Sequence, residues 1–93
     1  MKEFYLKPQN ENRASFYNKA IVKESENKAV LFSYLTNVCE VNIKEKTFKL
    51  NKSVKEDLLL SNTTLRHLRA FLSFYEVKNA PKTKKDFERV LRG

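Results

Sequence analysis

The chain has 93 residues, 41% hydrophobic and 32% charged, enough for one domain with a single small core. One Gly and two Pro exclude collagen-like repeats, flexible linkers and glycine-rich phosphate loops, which all depend on backbone freedom that Gly supplies. Nineteen Lys and Arg against eleven Asp and Glu leave a net charge of +8, which favours polyanionic partners, and this charge divides into net +3 over residues 1–57 and net +5 over 58–93.

Residues 1–14 are polar, carry Pro8 and lack periodicity, so they read as a flexible or docked N-terminal arm that Phe4 and Tyr5 could pin, ahead of a single α+β domain over 15–93. The only apolar run there, Phe4 to Leu6, is too short for a signal-peptide core or a membrane span. From Ser15 to Lys23, Phe16, Ala20 and Val22 alternate with Lys19 and Lys23, the period of a half-buried strand. ESENK at 24–28 is a polar connection, and AVLFSYL at 29–35 is apolar on both parities, as in a centrally placed strand. Thr36 and Asn37 mark a bend. Cys39, Val41 and Ile43 then alternate with Glu40 and Asn42, and Phe48 and Leu50 with Lys49 and Asn51, which predicts a hairpin around 44–46.

After Leu60 the period changes. Ser61 or Thr63 can cap a helix whose buried arc holds Leu65, His67, Leu68, Phe71, Leu72, Phe74 and Tyr75, with Arg66, Arg69, Ser73 and Glu76 on the other side. Pro81 ends that segment. Thr83 followed three residues later by Asp86 resembles a capping box for a second helix carrying Phe87, Val90 and Leu91. The expected architecture is therefore α+β: an antiparallel meander of three to four strands followed by two C-terminal helices packed on one face.

The chemistry-bearing side chains are few. His67 is the only histidine and has no Cys, His or carboxylate cluster at ligand spacing, so no metal or cofactor is expected. Thr63, Thr64 and His67 form a compact motif read as structural, with a small Thr/His-dependent enzyme as a remote alternative. Cys39 lies on the apolar parity of its strand and reads as a buried thiol; a single cysteine cannot staple the fold, which favours a reducing, cytoplasmic setting. The basic set is larger: Arg66, Arg69, Lys78, Lys82, Lys84, Lys85, Arg89 and Arg92 could together follow a phosphate backbone, and a solvated helix face would explain the same residues.

SFYNKA at 15–20, SYLTNV at 33–38, SNTTLRHLRAFL at 61–72 and KKDFERVL at 84–91 resemble an uncharacterised family of small proteins from bacterial phages and mobile elements. The chain departs from that pattern at Asn18, where Gly is usual, and at Phe87, where Trp is common. The resemblance implies a setting rather than a reaction: non-enzymatic binding of nucleic acid or a host ribonucleoprotein, with anti-CRISPR-like inhibition of a nuclease as one form. A basic chain suits guide RNA or an acidic surface better than DNA mimicry, which needs negative charge. A protein-binding module, monomeric or homodimeric, without nucleic-acid affinity is the alternative, and no membrane partner is expected.

Overall fold

A computed structural model of the chain describes residues 2–8, 16 and 18–93. It has five strands, β1 (Lys2–Tyr5), β2 (Ala20–Glu24), β3 (Lys28–Ser33), β4 (Thr36–Asn42) and β5 (Thr47–Leu50), and three helices, α1 (Glu56–Leu59), α2 (Asn62–Phe74) and α3 (Lys84–Arg92). All strand pairs are antiparallel and the sheet order is the chain order, β1-β2-β3-β4-β5. The class is thus α+β, with five strands where the sequence predicts three to four.

The additional strand is β1, formed inside the segment expected to be an arm; of that segment, residues 1 and 9–14 lie outside the described residues. Phe4 pairs with Val22 and its ring meets Phe74 at 5.4 Å, so one aromatic side chain fixes this short edge strand against α2. The strand expected over 15–23 begins only at Ala20, with residues 15 and 17 outside the described set. Ahead of it the backbone turns at Asn18, φ 61°, and the Lys19 amide donates to the Phe16 carbonyl at 3.0 Å. That left-handed conformation suits Gly or Asn, which accounts physically for Asn at this position.

Across the sheet, Val22, Leu31, Cys39 and Leu50 stand in register and are all buried. A bulge between Leu31 and Phe32 leaves Val38 as the extra residue of β4, so Val38 and Cys39 are both buried although they are consecutive. Strand β3 ends at Ser33, and Tyr34 and Leu35 form the turn to β4 rather than continuing the strand; Thr36 and Asn37 belong to β4 instead of a bend.

Helix α2 lies against β3, and its Leu65, Leu68, Phe71, Leu72 and Tyr75 join the sheet's inner row in one core, to which α3 adds Phe87. At its end, the Tyr75 hydroxyl donates to Glu24 Oε1 at 2.5 Å, tying α2 to β2. The helix stops in a Schellman arrangement: the Val77 amide donates to Leu72 and the Glu76 amide to Ser73, both at 3.0 Å, with Glu76 left-handed at φ 53°.

Candidate functional site

Two places gather the residues that carry chemistry. The first is the underside of α2. Ser61 caps the helix, its hydroxyl accepting from the Thr64 amide at 3.3 Å and donating to Thr64 Oγ1 at 2.9 Å. Thr64 is therefore engaged with Ser61, and the hydroxyl that meets His67 comes from the sheet: Ser33 Oγ and His67 Nδ1 share a 2.8 Å hydrogen bond whose direction follows the imidazole tautomer. Thr63 is half-buried on the neighbouring turn.

A hydroxyl beside an imidazole is the pairing used by activated nucleophiles. Here Ser33 is 3% and His67 1% exposed, and the imidazole lies between the rings of Phe16 at 4.5 Å and Tyr34 at 5.9 Å. A substrate cannot reach Ser33 Oγ without the hairpin and helix separating. In this closed state the pair joins α2 to β3 and satisfies two polar groups inside the core. From the sequence Ser33 is one strand hydroxyl among several with no acid-base partner placed beside it; the fold supplies that partner, and the signal for it is a polar residue on the inward parity shared with Ala29 and Leu31.

Cys39 is fully buried on β4, and desolvation pushes its thiol far above the ordinary value. Among the described residues no three His, Cys, Asp or Glu side chains gather as a metal site, and no helix is long and apolar enough to cross a membrane.

The second place is the outward side of α2 with the segment leading into α3. Arg69 is exposed and its Nη1 donates to the Lys82 carbonyl at 3.1 Å, which fastens that segment beside α2. Thr83 caps α3: its hydroxyl accepts from the Asp86 amide, and the Asp86 carboxylate accepts from the Thr83 amide, both at 3.2 Å, and from the Lys82 amide at 3.3 Å. These bonds, the Thr83 amide first, hold the Asp86 carboxyl below the usual carboxylate range. Lys84 and Lys85 open the helix just after Lys82, so the Arg69–Lys82 contact brings α2 up to the start of α3; Lys84 shares a hollow with Glu56, Asp57 and Glu88, and Lys85 one with Glu88, Arg89 and Arg92. None of Arg66, Arg69, Lys82, Lys84 and Lys85 forms an ion pair with a carboxylate among the described residues.

The other three basic residues singled out from the sequence are placed differently. Arg89 pairs with Asp86 at 3.6 Å, and Arg92 with Glu56 at 3.5 Å and Glu88 at 3.7 Å. Lys78 is drawn to the opposite end of α2, where its amide donates to the Lys46 carbonyl at 3.2 Å. On the sheet, two lysines are partnered, Lys28 with Glu40 at 2.8 Å and Lys23 with Glu3 at 3.7 Å.

The architecture defines a small α+β protein, an antiparallel meander that supports a basic helical surface. The chain belongs to DUF8033, a family of unknown function, which matches residues 4–89. No curated protein and no solved structure matches it.

Proposed function

We propose that the protein is a non-enzymatic nucleic-acid-binding module whose contact surface is Arg66, Arg69, Lys82, Lys84 and Lys85. The observation that carries this reading is the Arg69 to Lys82 hydrogen bond, which joins the cations of α2 to the run that opens α3; none of the five forms a carboxylate ion pair among the described residues. Such a surface follows a phosphate backbone without reading bases. The resemblance to small phage and mobile-element proteins supplies the setting: cytoplasmic nucleic acid or a host ribonucleoprotein, including a CRISPR nuclease with its guide RNA, bound and inhibited.

With roughly four phosphate contacts to a single strand, the slope of log affinity against log salt is about −3. Arg66→Glu with Lys85→Glu removes two of those contacts, weakening binding at about 150 mM salt by tenfold or more and flattening the slope towards about −1.4. Lys49→Glu with Lys52→Glu changes the net charge equally at two exposed lysines outside the surface, and binding stays near that of the native protein. Equal losses in both variants would make net charge, and not a formed surface, responsible.

A further inference from the structure

We propose that the side of the sheet turned away from the core binds a second copy of this chain, face to face, about a two-fold axis running along β3. This is independent of the nucleic-acid reading. Side chains alternate across a sheet. Val22, Leu31, Cys39 and Leu50 share the core with Leu68, Phe71 and Phe87 of the helices, so their chain neighbours Lys23, Val30, Glu40 and Lys49 stand on the opposite side. With Glu3 of β1 these residues form one row in register, a residue from each strand: Glu3, Lys23, Val30, Glu40, Lys49. The row beside it holds Tyr5, Ile21 and Phe32, and the Lys23 ammonium lies 4.8 Å from the centre of the Phe32 ring, so charged and apolar residues make one patch. Ile21, Val30 and Phe32 are half-buried, Tyr5 is 57% exposed, and none of the four packs against the core.

The charges of the row identify the partner. Across the strands they run negative, positive, neutral, negative, positive, an order that changes sign about Val30. A two-fold axis along β3 lays β1 on β5 of the copy and β2 on its β4. Glu3 then faces Lys49, Lys23 faces Glu40, and Val30 and Phe32 face themselves. Every charge of the row meets its opposite around an apolar centre, as a self-complementary interface requires, and the strands of the two sheets run aligned. An axis across the strands would set each charge over its own copy, and repulsion excludes it. Lys49, which forms no ion pair within the chain among the described residues, gains a carboxylate by this pairing. Lys28 comes near its copy at one end of the axis and carries its own counter-ion, Glu40 at 2.8 Å.

The test follows association by sedimentation equilibrium at about 150 mM salt, which largely screens repulsion between the two basic copies beyond about 8 Å. The native protein is expected to pass from monomer to dimer between about 1 μM and about 1 mM. Glu3→Lys and Lys49→Glu each set like charges against one another and weaken the dimer by at least about tenfold. An equimolar mixture of these two variants restores opposite charges at both contacts and associates at least about tenfold more tightly than either variant alone. Glu3 and Lys49 lie on opposite edges of the sheet, about 19 Å apart, so no contact within a chain produces that rescue. Net charge alone favours the less basic Lys49→Glu homodimer over the mixture. Lys23→Glu mixed with Glu40→Lys gives the same rescue at the inner contact, and circular dichroism verifies that each variant is folded. A native chain that stays monomeric, a dimer indifferent to the reversals, or mixtures no tighter than their parents overturn the proposal. Rescue at the outer contact alone would mean pairing of sheet edges and refute it too. Oligonucleotide binding is measured below the dimer range, so the two readings fail separately.

Discussion

Helices α2 and α3 are neighbours in the chain and are held by different forces. In α2, Thr64, Leu65, His67, Leu68, Ala70, Phe71 and Leu72 are buried, so the helix is part of the core and its outward side is a fixed platform. In α3 only Phe87 is fully buried, with Val90 and Leu91 partly buried against the core; its other support is a capping box at Thr83 and Asp86, local ion pairs of Arg89 with Asp86 and Arg92 with Glu88, and one pair from Arg92 to Glu56 of α1. The difference teaches where function can be altered without unfolding the protein. Substitutions beneath α2 reach the whole fold, whereas those at the start of α3 act on the local helix and on the cations it presents.

The sharpest way to break this contrast is to remove one buried side chain from each helix. Leu68→Ala is expected to cost about 2–5 kcal/mol, a large part of the stability of a domain this small, and to lower the denaturant midpoint of the entire cooperative transition. Phe87→Ala costs a comparable amount, but hydrogen exchange should show α3 opening with the sheet amides still protected. Simultaneous loss of protection in α3 and β3 would make the two helices one cooperative unit.

Next in size is the polar link beneath α2. His67→Ala leaves Ser33 buried without its partner and is expected to destabilise by about 1–3 kcal/mol. Ser33→Ala with His67→Leu removes both polar groups and should recover much of that loss, measured as a double-mutant cycle in urea. A folded His67→Ala protein of native stability that had lost binding would instead make His67 a functional residue.

The smallest effect belongs to the α3 cap. Thr83→Ala is expected to cost about 1 kcal/mol of local stability. Because the Asp86 carboxyl is held below its unfolded value, the cap's contribution is fully present above the ordinary Asp range and disappears as pH falls through the lower, folded value. Amide protection at the first turn of α3, measured relative to the intrinsic exchange rate at each pH, should fall in that acid window in the native protein and lose this pH dependence in Asp86→Asn.

Helix α2 is legible because its apolar residues repeat at helical spacing over the whole of its 13 residues, and α3 because Thr83 and Asp86 advertise its start. Strand β1 is not: its four residues show no sustained alternation, and the pairing with β2 spans a connection of more than a dozen residues. Helix α1 is also four residues long, below the length at which periodicity accumulates. The tip at Tyr34 and Leu35 was read as strand because those residue types favour strands, and tertiary geometry overrode that preference. At the candidate surface, the cations were visible as residue types. Which of them stay unneutralised depends on Glu56 meeting Arg92 and on Arg69 meeting Lys82, contacts that only the fold brings about.

The identity of sheet order and chain order has a kinetic consequence. Each strand pairs with the one made just before it, so the polypeptide can zip its sheet strand by strand as it leaves the ribosome, closing only short loops between β2 and β5. The longer loop, between β1 and β2, is closed at greater entropic cost. A chain built in this sequence acquires its hairpins early, and the late arrival of α2, which covers their apolar face, sets the moment at which the nascent sheet stops being adhesive to its neighbours.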